Sequence, residues 1–161
     1  MSASNMAGAA LLFAAICAST GCGHHFEVRM PEHFVELDAS AQERAGYALR
    51  ATTAEGVVLA VREIANEEHG SREFWVDAIR NRLRRAGGYA LLEERDVSLA
   101  SGDSARQLRF GRDEAGRPYA YWLTIAVRSD VIILIEAGGR RDAFEAREAA
   151  LTQAIASVRL R

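Results

Sequence analysis

The stretch YAYWLTIAVRSDVIILI, Tyr119 to Ile135, decides how this chain folds. Two runs of β-branched and aromatic residues, Tyr119 to Val127 and Val131 to Ile135, flank Ser129-Asp130, which is the composition of a β-hairpin. Gly138-Gly139 is expected to end the second run. Working back, Asp113-Glu114-Ala115-Gly116 is a turn joining the hairpin to a strand over Ala105 to Phe110. Ser101-Gly102-Asp103 joins that strand to another over Ala90 to Leu99. Strands met in sequence and linked by such short turns pair antiparallel, because a parallel pair needs a crossover of a dozen or more residues.

Further out the period changes from two to that of a helix. Ser71 is placed to cap a helix running to about Ala86, with Phe74, Ala78, Ile79, Leu83 and Ala86 as its apolar stripe and Gly87-Gly88 as its stop. After the hairpin, Asp142 and Glu145 have capping-box spacing, and the helix they open is expected to bury Phe144, Ala150, Leu151, Ala154 and Ile155. Val158 and Leu160 alternate with Arg159 and Arg161 in a closing strand. Towards the N-terminus, Phe26, Val28 and Met30 alternate with Glu27 and Arg29 in a strand that Pro31 stops, and His33 to Leu37 is a short extended piece. Two more strands, Ala45 to Thr52 and Val57 to Ile64, surround a Thr53-Ala54-Glu55-Gly56 turn. Val57, Leu59 and Val61 share one face of the second; Val58, Ala60, Arg62 and Ile64 share the other, so it reads as a central strand covered on both sides. The fold class is α+β: an antiparallel sheet flanked by two main helices, one domain over residues 26–161.

That order and its punctuation resemble the PsbP-like fold, which also holds the DcrB-type and LpqN-type bacterial envelope lipoproteins. The resemblance is carried by the opening Phe26-Glu27-Val28-Arg29-Met30-Pro31 strand, the Glu55-Gly56 turn into Val57-Val58-Leu59 and the helix start at Ser71-Arg72-Glu73-Phe74. Ser101-Gly102-Asp103-Ser104-Ala105 and the closing Ala156-Ser157-Val158-Arg159-Leu160, with Val158 where members have Phe, complete it. The resemblance is one of pattern over residues 26–161. It implies a partner-binding or assembly module and brings no catalytic residues with it.

Ahead of this domain lies AGAALLFAAICA, Ala7 to Ala18, without a charge. At roughly 1.5 Å per residue it would span about 18 Å, short of a hydrocarbon core of roughly 30 Å, which suits the apolar region of a signal peptide. Ser19-Thr20-Gly21-Cys22 follows and looks like a lipobox, although Ser19 stands where an aliphatic residue is usual and no Lys or Arg precedes Ala7. Residues 1–21 are therefore read as a lipoprotein signal peptide, Cys22 as the lipidated residue and residues 22–25 as its tether. Membrane attachment through the lipid on Cys22 places the domain in the cell envelope, on the periplasmic face of a membrane. Gly23 rather than Asp after the cysteine favours the outer membrane.

The composition narrows the function further. The formal net charge of −2 selects neither nucleic acid nor an anionic surface. All the basic residues are Arg, which fits a GC-rich coding bias as well as any binding role. Cys17 and Cys22 are the only cysteines, so the domain holds no disulfide and no thiol nucleophile. Cys22, His24 and His25 invite a metal reading, but an acylated sulfur is no ligand and adjacent residues seldom converge on one ion; no metal or cofactor is expected. Ser101 or Ser104 with Asp103 and either His33 or His69 could be drawn as a hydrolytic triad, yet Ser-Gly-Asp is ordinary turn chemistry and no nucleophile elbow is present. Arg80, Arg82, Arg84 and Arg85 cluster near the end of the first helix, where cations suit the dipole on a solvated face or could meet an anion such as a lipid headgroup. Tyr119 and Tyr121 share a strand face opposite Trp122, a placement for packing more than for a groove. The expectation is a non-enzymatic interaction or assembly module with an envelope protein as partner, and Trp75, Arg80 and Arg84 as candidate contacts. A periplasmic small-ligand binder is the alternative, and a hydrolase the third.

Overall fold

A computed structural model describes residues 23–161. Residues 1–21, read above as a signal peptide, and Cys22 lie outside the described residues. The hairpin read from Tyr119–Ile135 is the middle of the sheet: β7 (Arg117–Val127) pairs with β8 (Val131–Arg140) from Tyr119↔Arg140 to Val127↔Ile132. On one side β7 is joined by β6 (Ser104–Glu114) and then β5 (Ala90–Ser98). On the other, β8 pairs with β4 (Val58–Ala65), then β3 (Leu49–Thr52) and β2 (Val35–Glu36), all antiparallel. The order of this seven-stranded sheet is β2-β3-β4-β8-β7-β6-β5. The β6–β7 turn is tight because Ala115 and Gly116 both take positive φ, 55° and 77°, the backbone of a two-residue hairpin turn. Asp113 fixes it by accepting the Gly116 N–H at 2.8 Å.

Two connections cross the sheet and make its two layers. From β4 the chain crosses to the far edge through α2 (Arg72–Ala86), which Ser71 caps by accepting the Phe74 N–H at 3.2 Å. From β8 it returns over the opposite face through α3 (Arg141–Glu145) and α4 (Glu148–Ala156) to β9 (Arg159–Leu160). There β9 pairs with β1 (Phe26–Glu27) in a small second sheet. This second face carries the larger core. Val57, Leu59, Val61, Ile133, Ile135, Phe144, Leu151 and Ile155 are buried in one core, with Trp122 edge-on to Phe144 at 4.9 Å. Each such aliphatic or aromatic side chain contributes about 1.5–3 kcal/mol by leaving water.

Four local expectations are corrected. Gly138-Gly139 does not end the hairpin; β8 runs on to Arg140. These glycines answer a close approach instead, since a Cβ on Gly139 would lie 3.2 Å from the Val57 backbone and one on Gly138 3.3 Å from the Tyr121 ring. Asp142 and Glu145 form no capping box: Asp142 sits inside α3, accepts the Ala143 N–H and pairs with Arg140, and the helix breaks before α4 starts. The opening strand is only Phe26–Glu27, because its continuation bonds to a side chain, Arg29 N–H to Ser157 Oγ at 3.0 Å, and not to a neighbouring strand. A helix unread in the sequence, α1 (Ala39–Arg44), is started by Asp38, which accepts the Ala41 N–H, and it delays β3 to Leu49.

Candidate functional site

The face under α2 is closed only in part. Leu108, Phe110, Leu123, Ile125 and Ile132 are buried there, and α2 lays Trp75, Val76, Ile79 and Leu83 on them. The helix sits over the β6–β7 half, which leaves β8 and β4 without a cover at its flank. A groove of about 470 Å³ results, floored by Leu123, Ile132 and Leu134 and walled by Trp75, Ile79 and Leu83. Its outer lip is Ile64, which is 42% exposed in a strand whose neighbour Val61 is fully buried. The reading of β4 as covered on both sides therefore holds for Val57, Leu59 and Val61 and fails at Ile64.

Polar groups gather at one end of this apolar trough. Glu136 accepts from Arg62 Nε at 2.8 Å and from the Tyr121 hydroxyl at 3.1 Å. Arg62 stacks on the Tyr47 ring at 3.7 Å, and burial alone would lower its pKa, but the Glu136 bond and charge raise it. Burial pushes the Tyr121 hydroxyl far above the normal phenol range, and the Glu136 charge adds to this, so Tyr121 stays a neutral donor. Tyr89 and Phe110 pack around the same ring at 5.3 and 6.3 Å. Such a cluster orients a bound group by hydrogen bonds; it offers no activated nucleophile.

Trp75 reaches the groove because Asn66 holds it there. Asn66 is 1% exposed and spends every hydrogen-bonding group: its amide donates to the Gly70 and Arg128 carbonyls and its oxygen accepts from Gly70 N–H and, at 2.9 Å, from the Trp75 indole. The expected stripe is thereby rotated. Phe74 is turned outward and 57% exposed, while Trp75 and Val76 face the sheet. Of the other candidate contacts, Arg80 is half-buried between Asp77 and Glu94 at 2.8 and 2.9 Å, and Arg84 is exposed near the helix end. Trp122 packs on the face under α3 and α4 and Tyr121 on the groove side. Asn66, Arg62 and Glu136 were not singled out in the sequence, although a lone charge inside an apolar strand is the signal that could have found Glu136.

In the candidate triad Ser101 does bond Asp103, but the two hydroxyls, the carboxylate and His69 are also held by structural partners. Ser101 Oγ accepts the Leu160 N–H, Ser104 Oγ accepts from Arg72 at 2.9 Å, Asp103 pairs with Arg128 at 2.9 Å and His69 Nδ1 lies 2.7 Å from the Ser129 carbonyl. At the N-terminal edge, Glu63 accepts the His25 N–H at 2.6 Å and sits 3.3 Å from His24 Nδ1, so the chain beyond Cys22 is held against β4 on the face opposite Ile64. Pairing of β3 with β4 stops at Val61, so β4 is the sheet's edge at that point.

No family model matches the chain, and neither does any curated protein. Solved structures do. LpqN, involved in cell envelope biogenesis of Mycobacterium tuberculosis, superposes with a TM-score of 0.65 over 84% of this chain and 82% of its own, at 11% identity. Cyanobacterial PsbP (CyanoP) from Synechocystis gives 0.55 over 85% of this chain and 87% of its own, at 12% identity. The fold is the PsbP-like one. The Pseudomonas aeruginosa protein PA94 is similar too, with a TM-score of 0.56, 12% identity and coverage of 77% and 94%. Identities this low establish the PsbP-like architecture alone, and the groove beside α2 is read from this chain's own residues.

Proposed function

We propose that this chain is a lipid-anchored cell-envelope protein that acts without covalent chemistry, as an interaction or assembly module whose working surface is the groove beside α2. The single observation that carries the reading is the unequal cover of the sheet. An apolar trough of about 470 Å³, edged by a partly exposed Ile64, is left on the α2 face of a PsbP-like domain whose other face carries the larger buried core. A partner that covers Ile64, Ile79 and Leu83 gains the apolar burial that α2 leaves unused, and the Arg62–Glu136–Tyr121 cluster sets its register. The apolar segment before Cys22 supports export and anchoring, and the Mycobacterium tuberculosis relative in fold, LpqN, is involved in cell envelope biogenesis.

Two experiments test it. Metabolic labelling with a clickable fatty acid labels the wild-type chain and leaves Cys22→Ser unlabelled; equal labelling of both, or of neither, contradicts the anchor. A photo-crosslinking residue at position 64 gives one discrete adduct in intact cells that is missing when the residue is placed at Glu114, an exposed position in the β6–β7 hairpin. The same pattern from both positions contradicts the groove. The volume and polar end of the groove also suit a small amphipathic ligand, with a few oriented groups in an apolar pocket. A native mass spectrum of the purified protein with one bound small molecule, lost in Leu134→Arg, would move the reading to that class.

A further inference from the structure

Arginines at the C-terminal end of α2 divide into two kinds. Arg80 is neutralised by Asp77 and Glu94. Arg82, Arg84 and Arg85 form no ion pair among the described residues, and residues 1–22 contain no Asp or Glu that could supply one. Arg84 and Arg85 border an open cleft of about 590 Å³ with Asn81 and Tyr89, and Arg112, itself paired with Glu114 at 3.1 Å, stands 5.5 Å from the Tyr89 ring. The helix dipole explains why cations are tolerated at this end. It does not explain a cleft whose walls carry uncompensated guanidinium groups together with an amide and a phenol, the donor set that receives phosphate oxygens.

The position of the cleft adds a direction. The chain next to Cys22 is held by Glu63 at the β4 edge, on the face that Glu63 shares with Ile133 and away from α2. The cleft lies at the C-terminal end of α2, whose fifteen residues span about 22 Å at 1.5 Å per residue. Phe74 and Arg85, three turns apart, stand on one outward stripe of α2, with Phe74 57% exposed. We infer that the cleft lined by Arg84 and Arg85 binds the phosphate headgroups of an anionic bilayer and lays α2 along the membrane surface. The anion site stands on the cleft itself; only the bilayer as its source rests on the anchored reading. With a net charge of −2 the molecule as a whole is repelled by an anionic surface, so any preference for one must come from a local site.

The test uses the full chain carrying Cys22→Ser, so that no lipid contributes, and co-sedimentation with vesicles of phosphatidylcholine alone or mixed with phosphatidylglycerol. Binding is stronger to the mixture. Arg84→Gln with Arg85→Gln reduces that binding by roughly tenfold or more, since each arginine near an anionic surface contributes about a factor of five. Arg44→Gln with Arg159→Gln, which removes the same charge from exposed positions elsewhere, leaves most of it. Equal binding to both vesicles, or an equal loss in the two double variants, overturns the proposal. So does Arg84- and Arg85-dependent binding of inorganic pyrophosphate without any vesicle preference, which would make the cleft a site for a soluble anion.

Discussion

The two faces of one sheet are treated differently by this chain. The face under α3 and α4 is the more fully packed: Phe144, Leu151 and Ile155 fill it, β1 and β9 close its end, and a smaller cleft of about 370 Å³ remains beside Leu92. The face under α2 receives one helix for a sheet too wide for it, and the remainder is the groove between Ile64 and Leu83. The same strands supply both. Along β8, Ile133 and Ile135 point into the larger core while Ile132, Leu134 and Glu136 point into the groove side. Filling the larger core and lining the groove are thus assigned to alternate residues of a single strand, which a period-two element permits at no cost in backbone geometry.

Substitutions that compare the faces should separate these roles. Phe144→Ala, on the more fully packed face, costs about 3–5 kcal/mol because Trp122 and its neighbours cannot collapse into the space, and urea denaturation reads it directly. Leu134→Ala, on the groove side, costs about 2 kcal/mol, the low end for a large-to-small change, because water fills the opening. Equal costs would mean that the groove is closed in solution. Ile64→Ser costs about 1 kcal/mol, less than either core change because the residue is 42% exposed, and it abolishes the adduct from a neighbouring photo-crosslinker.

The more fully packed side also carries an acid-sensitive brace. The Ser101 hydroxyl, and then the Arg128 guanidinium, hold the Asp103 carboxyl below its ordinary pKa, and Arg128 reaches on to the Arg161 carbonyl at 3.0 Å. A depressed carboxyl stabilises the fold above its unfolded value of about 4, and that contribution is lost as pH falls through the lower folded value. Asp103→Asn therefore flattens the acid limb of a stability–pH curve and leaves the groove's properties unchanged. An unaltered acid limb would show that the brace contributes nothing.

Much of this was legible in the residues. The β7–β8 hairpin, the Ser71 cap and the closing strand are local patterns, each decided by a few neighbours in sequence. The groove was not, because it depends on how many strands one helix must cover, a property of the assembled sheet. The rotation of α2 was hidden for a related reason. Phe74 and Trp75 are equally apolar by pattern, and what selects Trp75 is a bond to Asn66, nine positions away. The Arg62–Glu136 pair needed the β4–β8 register, which brings together residues 74 positions apart. Gly138-Gly139 misled because glycine marks both chain ends and close approaches, and only packing against Val57 tells them apart.

The central claim is that the groove face, and not the face under α3 and α4, is covered in the cell. Because residues 23–161 contain no cysteine, single reporters are easily placed: Ile64→Cys at the groove lip and Ala149→Cys on the exposed side of α4. Maleimide labelling rates are then compared between the purified protein and intact envelopes. The account predicts that the thiol at 64 reacts readily in the purified protein and several-fold more slowly in the envelope, while the thiol at 149 reacts equally in both. Equal reactivity of position 64 in the two settings, or protection of position 149 instead, would contradict it.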